Sequence, residues 1–367
     1  MQREFQEQLL CAVVMRTITQ CFGRGAIDFR SFSPAVNQPL LFPPLCLQAK
    51  LYPSNAQIEM SQSEFSKAMC EWGAFYNGVA AGLRLGDHRN IRIDCEWLTM
   101  NTVNRNASSA GLMYAFGLGG HIVNLNFFTI HELLSSDHYM ISLAILIGYA
   151  VAKRTSADVQ LYKMIVTHLP FMMGPTLLEL HIDLMVQTAA LVSLGLLFAQ
   201  TSHLGILGQL INEIGRAASP NQEPSTDRYS YTLGAGFAVG LISLGKGDDL
   251  SKNVPFVERY PSLPSRLVIL MNGGRRSCCV FPTEITSDLF PIVNNSRNNQ
   301  AQQLRSNYAK ESENVNPHLT GSAATIALGL MYLRTGNSWA AKNLEVPNSL
   351  YMIETIKPDL ILLRYFF

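Results

Sequence analysis

One pattern recurs six times along this 367-residue chain: small residues, an apolar run with a glycine inside it, then a polar turn. The first copy reads Asn77-Gly78-Val79-Ala80-Ala81-Gly82-Leu83, and a later one Leu143-Ala144-Ile145-Leu146-Ile147-Gly148-Tyr149. Anchoring each copy on the glycine within its run gives Gly82, Gly117, Gly148, Gly195, Gly240 and Gly329. The intervals between anchors are 35, 31, 47, 45 and 89 residues. The first four each fit one helix–turn–helix unit, and the last fits two units or one unit plus an insertion. A hairpin of two helices cannot bury its own apolar surface, so copies at this interval stack into an array. The fold class this dictates is all-α, an α-α solenoid of helical hairpins.

The composition of the runs follows from stacking. A helix flanked on both sides by neighbouring hairpins is apolar nearly all round. A glycine inside a helix costs roughly 1 kcal/mol relative to alanine, so six of them need a packing reason, which close backbone approach supplies. Polar stretches such as Ala199-Gln200-Thr201-Ser202-His203 and Leu244-Gly245-Lys246-Gly247-Asp248-Asp249 provide the turns. A second, amphipathic helix follows the turn: after His203 come Leu204, Leu207, Leu210, Ile211 and Ile214 at helical spacing, with Gly215 as the stop.

Hydrophobic residues make up 48 % of the chain and charged residues 15 %, against a usual charged share of roughly 25 %. A multi-pass membrane protein is therefore an alternative to weigh. The most apolar stretches, at 139–152, 188–199, 233–244 and 323–333, fall short of the about 20 residues that span a bilayer. Net charge is +1, with no basic stripe interleaved with aromatics, which excludes the usual footprint of nucleic-acid binding. The seven cysteines are odd in number and widely spaced, with no Cys-x-x-Cys. That pattern argues against a disulfide framework or structural zinc and favours a reducing compartment. The N-terminus carries acids where a secretory signal carries bases, and Arg16 interrupts the apolar residues 9–15.

Outside the array the chain changes character. Residues 1–70 read as a lead-in segment, partly extended, in which residues 23–53 are rich in Pro and aromatics, include Pro39, Pro43 and Pro44, and have no helical period. Residues 71–364 hold the repeats, interrupted at about 287–317 by a flexible insertion rich in Asn, Gln and Ser.

Four segments sharpen the repeat into a family. Trp72-Gly73-Ala74-Phe75-Tyr76-Asn77-Gly78-Val79-Ala80-Ala81-Gly82-Leu83 is the first. Gly117-Leu118-Gly119-Gly120-His121-Ile122, followed by Ile130-His131-Glu132-Leu133-Leu134, is the second. Thr226-Asp227-Arg228-Tyr229-Ser230-Tyr231-Thr232-Leu233 and Lys357-Pro358-Asp359-Leu360-Ile361-Leu362-Leu363-Arg364 complete the set. Across residues 22–364 the chain resembles the proteasome/cyclosome repeats of large scaffold subunits in the proteasome regulatory particle and the anaphase-promoting complex, and the four segments are most similar to the latter. The resemblance implies the repeat domain of a much larger subunit, with a β-propeller before it, more helical sequence after it, and closure of the array into a toroid. It implies a non-catalytic scaffold in a cullin–RING ubiquitin ligase controlling mitosis, nuclear and cytoplasmic in location. The partners implied are a Doc-type jelly-roll substrate-recognition subunit, a cullin-like subunit and tetratricopeptide subunits, with neither nucleic acid nor membrane among them. The alternative within the same repeat family is a scaffold of the proteasome regulatory particle. At the 287–317 insertion the resemblance fails, so partner contacts do not carry over there.

No catalytic, cofactor or metal site emerges from the residues. Gly117-Leu118-Gly119-Gly120 has the start of a dinucleotide loop, but the third glycine would fall at Ile122 and an apolar helical run precedes it. His131-Glu132 opens a zinc-protease pattern whose second histidine would fall at Ser135. His168, His181 and Asp183 lie close in sequence without a partner at ligand spacing. Adjacent Cys278 and Cys279 are poorly placed to pair with each other. Arg275-Arg276, after Asn272-Gly273-Gly274, is the charged feature with most to offer. It is either a solvated turn or an arginine contact at a partner interface, where arginine is enriched.

Overall fold

Each apolar run becomes the body of a helix, and the polar residue ahead of most of them becomes its cap. The structure is a computed structural model, and it describes residues 66–86, 93–102, 104–136, 138–173, 182–216, 226–252, 262–278, 314–350 and 358–367, with scattered positions elsewhere, among them 48–51 and 53–59. Most of the lead-in, and the insertion as far as residue 313, lie outside the described residues. The chain packs as two units, Met1–Ala152 and Lys153–Phe367.

The first unit carries a short antiparallel hairpin, β1 (Gln48–Leu51) and β2 (Ala56–Glu59), paired from Gln48↔Glu59 to Leu51↔Ala56. Its helices are α1 (Lys67–Leu83), α2 (Cys95–Asn101), α3 (Ala107–Leu118), α4 (Phe127–Leu134) and α5 (Tyr139–Ala152). Side chains that accept from free backbone N–H groups start them. Ser66 caps α1, Asp94 caps α2, and Asn126 caps α4. Asn106 and Ser109 form a reciprocal capping box on α3, at 3.0 and 2.9 Å. Helix α3 lies between α1 and α5. Helix α5 is buried on almost every side, including the whole run from Met140 to Leu146, whereas α4 turns Ile130 and Leu133 inward and leaves Phe127 and Phe128 exposed. That contrast separates an inner stack from the outer helix lying against it.

The second unit repeats the plan with α6 (Val159–Val166), α7 (Leu184–Leu197), α8 (Leu204–Ile214), α9 (Thr226–Ile242), α10 (Asp249–Lys252), α11 (Leu263–Asn272), α12 (Pro317–Met331), α13 (Ser338–Leu344) and α14 (Pro358–Phe366). Helix α9 is sandwiched between α7 and α12, with α8 on its outer side, and α11 and α14 pack on α12. Because α9 packs directly on α12, the 89-residue interval between Gly240 and Gly329 reads as one unit plus an insertion, with α10 following its turn as α6 and α8 follow theirs and α11 packing on α12. The insertion ends where Asn316 caps α12, so Pro317 is already its first helical residue. Gly215 does stop α8, but at φ −84 rather than in the left-handed conformation.

Four turns of the second unit share one backbone device. Residues in left-handed conformation alternate at Thr155 and Ala157, at Gln200 and Ser202, at Gly245 and Gly247, and at Arg334 and Gly336. In the first three turns both N–H groups reach the last carbonyls of the next inner helix. Thr155 and Ala157 donate to Leu196 and Leu197, Gln200 and Ser202 to Leu241 and Ile242, Gly245 and Gly247 to Leu330 and Met331, all at 3.0–3.2 Å. The turn of one repeat thus closes the carboxyl end of the following helix, whose carbonyls have no acceptor role left within the helix. Thr155 is the costliest occupant, being β-branched at φ 62. Replacing it with glycine (T155G) is expected to raise the unfolding free energy by about 1 kcal/mol, the relieved strain outweighing the added chain entropy. Denaturant titration checks this, and an unchanged or lower midpoint would show that the turn is not strained.

Candidate functional site

The six anchor glycines all lie inside inner helices, and each faces a neighbouring helix of its own unit or the chain's last residue. A methyl group on Gly82 would sit 2.6 Å from the Ala115 side chain. One on Gly117 would fall on the backbone of Gly148, so two anchors stack directly on each other. Gly195 meets the Cα of Ala238 at 2.5 Å, Gly240 meets Leu330 and the Cα of Ala327, and Gly329 meets the ring of Phe367. Three further glycines approach backbone as closely: Gly78 against the Ser108 carbonyl, Gly111 against the Phe75 carbonyl, and Gly236 against Ala323. Two of these had a readable signal, since Gly78 and Gly236 stand four residues before Gly82 and Gly240, on the same helix face. The glycines therefore line a packing seam, and the surface left for other molecules is on the outer helices, the turns and the helix ends.

At one helix end the second unit gathers arginines. Arg216 follows α8, Arg228 stands in the first turn of α9, and Arg276 follows α11; the three line one narrow pocket with Thr232 and Asn316. Arg275 does not line it: its backbone bridges to Asn314 and its side chain is exposed. Arg216 pairs with Glu213 at 3.2 Å, and Arg228 donates to the Arg216 carbonyl at 3.1 Å. Partial desolvation works against the charge on Arg216, whose side chain is half-exposed, but Glu213 and Tyr231 outweigh it and its pKa is raised. The hydroxyl of Tyr231, a buried residue, donates to Glu213 Oε2 at 2.6 Å. Burial first, then the negative charge of Glu213, pushes its phenol well above the ordinary 10.0. With the folded pKa above the unfolded one, this phenol's contribution to stability is whole below pH 10 and declines above it. Tyr231→Phe is expected to lose stability less steeply between pH 10 and 11 than the parent chain; equal slopes in pH-resolved thermal melts would sink the assignment.

The remaining candidates have structural partners. Asp183 caps α7, accepting from the Met185 N–H at 2.8 Å. The His168 ring is hydrogen-bonded at Nδ1 to the Met164 carbonyl, and His181 lies outside the described residues. Glu132 pairs with Arg105 at 2.8 Å. Gly120 is the left-handed residue of an inter-helix turn, at φ 78. Cys278 is a free, exposed thiol, and Cys279 is outside the described residues. No group of His, Cys, Asp and Glu able to hold a metal occurs among the described residues. No helix among them is long and apolar enough to cross a membrane.

A family model described as the APC1 fifth domain matches residues 159–367, and one described as the APC1 fourth domain matches residues 1–154. Anaphase-promoting complex subunit 1 of Caenorhabditis elegans is 39 % identical over 97 % of this chain, and that of Homo sapiens 32 % identical over 98 %. The chain belongs to the anaphase-promoting complex subunit 1 family. It spans 24 % of the length of the C. elegans relative and 18 % of the human one. A relative from Emericella nidulans, 26 % identical over 98 % of this chain and matched over 16 % of its own length, is named negative regulator of mitosis. The two family domains of subunit 1 meet at 154–159, where the packing also divides, after Ala152.

Proposed function

We propose that this chain is a non-catalytic scaffold within the anaphase-promoting complex, holding other subunits of the ligase in place during cell division. The observation that carries the reading is the glycine seam: it commits the inner helices to one another and leaves outer helices and turns as surfaces for partners. Family membership supplies the complex, because the relatives are named as its subunit 1, and it favours this reading over a regulatory-particle scaffold. The name of the E. nidulans relative supports a role in mitosis. The partners proposed are the Doc-type substrate-recognition subunit, the cullin-like subunit and the tetratricopeptide subunits, and the location proposed is nuclear and cytoplasmic.

Affinity purification of the tagged protein followed by mass spectrometry tests this. Recovery of cullin-like and tetratricopeptide subunits is expected, and recovery of proteasomal ATPases in their place would overturn it. Supplied with activating and conjugating enzymes but no other ligase subunit, the chain is expected to transfer no ubiquitin.

A further inference from the structure

We propose that the turn at Arg334–Gly336 is a receptor for the carboxyl end of one more inner helix, formed by residues that carry α14 beyond Phe367. The turn repeats the backbone of the three before it, with Arg334 at φ 60 and Gly336 at φ 63. Each of those three places two N–H groups on the last carbonyls of the next inner helix. Here the intervening Thr335 N–H returns to the Tyr332 carbonyl at 3.1 Å, while the Arg334 and Gly336 N–H groups have no acceptor among the described residues. A residue with a Cβ, such as Arg334, adopts this conformation at a cost. Bonds on both flanks hold it there. Tyr332 donates its hydroxyl to Asp248 Oδ1 at 2.6 Å, and the Asn337 amide donates to Asp248 Oδ2 at 2.9 Å. The two donors are thus presented in advance, which lowers the ordering cost of binding.

The third turn shows how a seated helix covers this surface. A methyl group on Gly247 would meet the Tyr332 ring at 3.3 Å and the Thr335 methyl at 3.4 Å, and one on Gly245 the Leu333 carbonyl at 3.6 Å. On Gly336 it would meet nothing within 4 Å. Leu333 is 45 % exposed, whereas Ala199 and Leu244, which likewise stand four residues after an anchor glycine, are half-buried.

Packing register identifies the occupant. Leu360 of α14 lies against Gly321 and Phe367 against Gly329, so α14 runs in the same direction as α12 and extends the inner stack. Gly195 faces Ala238, and the turn after Gly195 donates to Leu241 and Ile242, three and four residues further on. Gly240 faces Ala327, and the turn after Gly240 donates to Leu330 and Met331, again three and four residues on. Gly329 faces Phe367, so the same register assigns to Arg334 and Gly336 the carbonyls three and four residues after Phe367. The last carbonyls of a helix have no donor within it, and the charge of Arg334 has the sign favoured at that end. The proposal does not depend on which complex the chain serves.

Hydrogen exchange resolved to single amides tests it, on this chain and on the same polypeptide extended by its own following residues. In the shorter chain Arg334 and Gly336 are expected to exchange about tenfold faster, or more, than Gly245 and Gly247. In the longer one they are expected to slow to the rate of that pair. Persistent fast exchange would overturn the proposal. So would protection that arrives only when another subunit binds, which would assign the turn to an intersubunit contact, or an endogenous protein whose mass ends it at Phe367. Leu333→Asp is expected to leave the melting midpoint of the shorter chain unchanged and to abolish the slowing in the longer one. Slowing that survives the substitution would mean that no helix seats over Leu333. A midpoint lowered in the shorter chain would mean that Leu333 is already covered there, and either result counts against the proposal.

Discussion

Gly117→Val is expected to lower the unfolding free energy of the first unit by about 3 kcal/mol or more, the upper range for overpacking a well-filled interior. Valine would place its Cβ on the backbone of Gly148, and backbone cannot rotate away as a side chain can. The opposing term is helix propensity, which favours a larger residue over glycine by at most about 1 kcal/mol, so the clash wins. Gly234→Ala is the matched comparison. Its nearest neighbour is the Thr188 methyl at 3.0 Å, a contact that a displacement of a few tenths of an ångström relieves. There the propensity gain is expected to dominate, leaving stability equal or up to about 1 kcal/mol higher. Denaturant titration of both variants decides the matter. A Gly117→Val protein as stable as its parent would mean that the seam is not close-packed.

The second large effect is expected one position earlier on α3. Phe116 is 1 % exposed, and its ring stands 5.1 Å from that of His121, whose Nε2 lies 2.9 Å from the Gly86 carbonyl. Phe116→Ala removes the largest apolar side chain of this cluster and leaves a cavity that helix backbones on either side cannot collapse to fill. The expected cost is about 3–5 kcal/mol, enough to threaten folding of a marginally stable unit. Phe128→Ala on α4 deletes the same atoms from a side chain that is 72 % exposed, and its expected cost is within about 0.5 kcal/mol. Comparable losses from both would mean that Phe128 is covered in the folded protein.

The glycine-bearing runs and their polar flanks were legible because both depend on local chemistry. A run such as residues 139–152 is apolar whichever neighbour it meets, and Asn106, Asp183 and Asn337 are good caps wherever a helix begins. The left-handed turns were harder to see. Gly245 and Gly247 announce theirs, but Thr155, Ala157, Gln200 and Ser202 do not, since hydrogen bonds to a helix dozens of residues later impose that conformation. The arginine pocket was half visible. Arg275-Arg276 stands out as a pair, yet only Arg276 enters the pocket. Arg216 and Arg228 come from other helix ends, which proximity in sequence could not bring together. The direct packing of α9 on α12 was likewise hidden, because an interval of 89 residues fits two arrangements and only tertiary contact chooses between them.

The pairing of each turn with the helix after it also gives the array a direction in time. During synthesis Gln200 and Ser202 leave the ribosome well before Leu241 and Ile242, whose carbonyls their N–H groups will meet. Until that later helix forms, the turn holds two unpaired donors and a backbone conformation with little to sustain it. Three turns of the second unit are thus each completed by the next inner helix on the nascent chain. A defect at the end of one inner helix would be felt upstream, in a turn translated earlier.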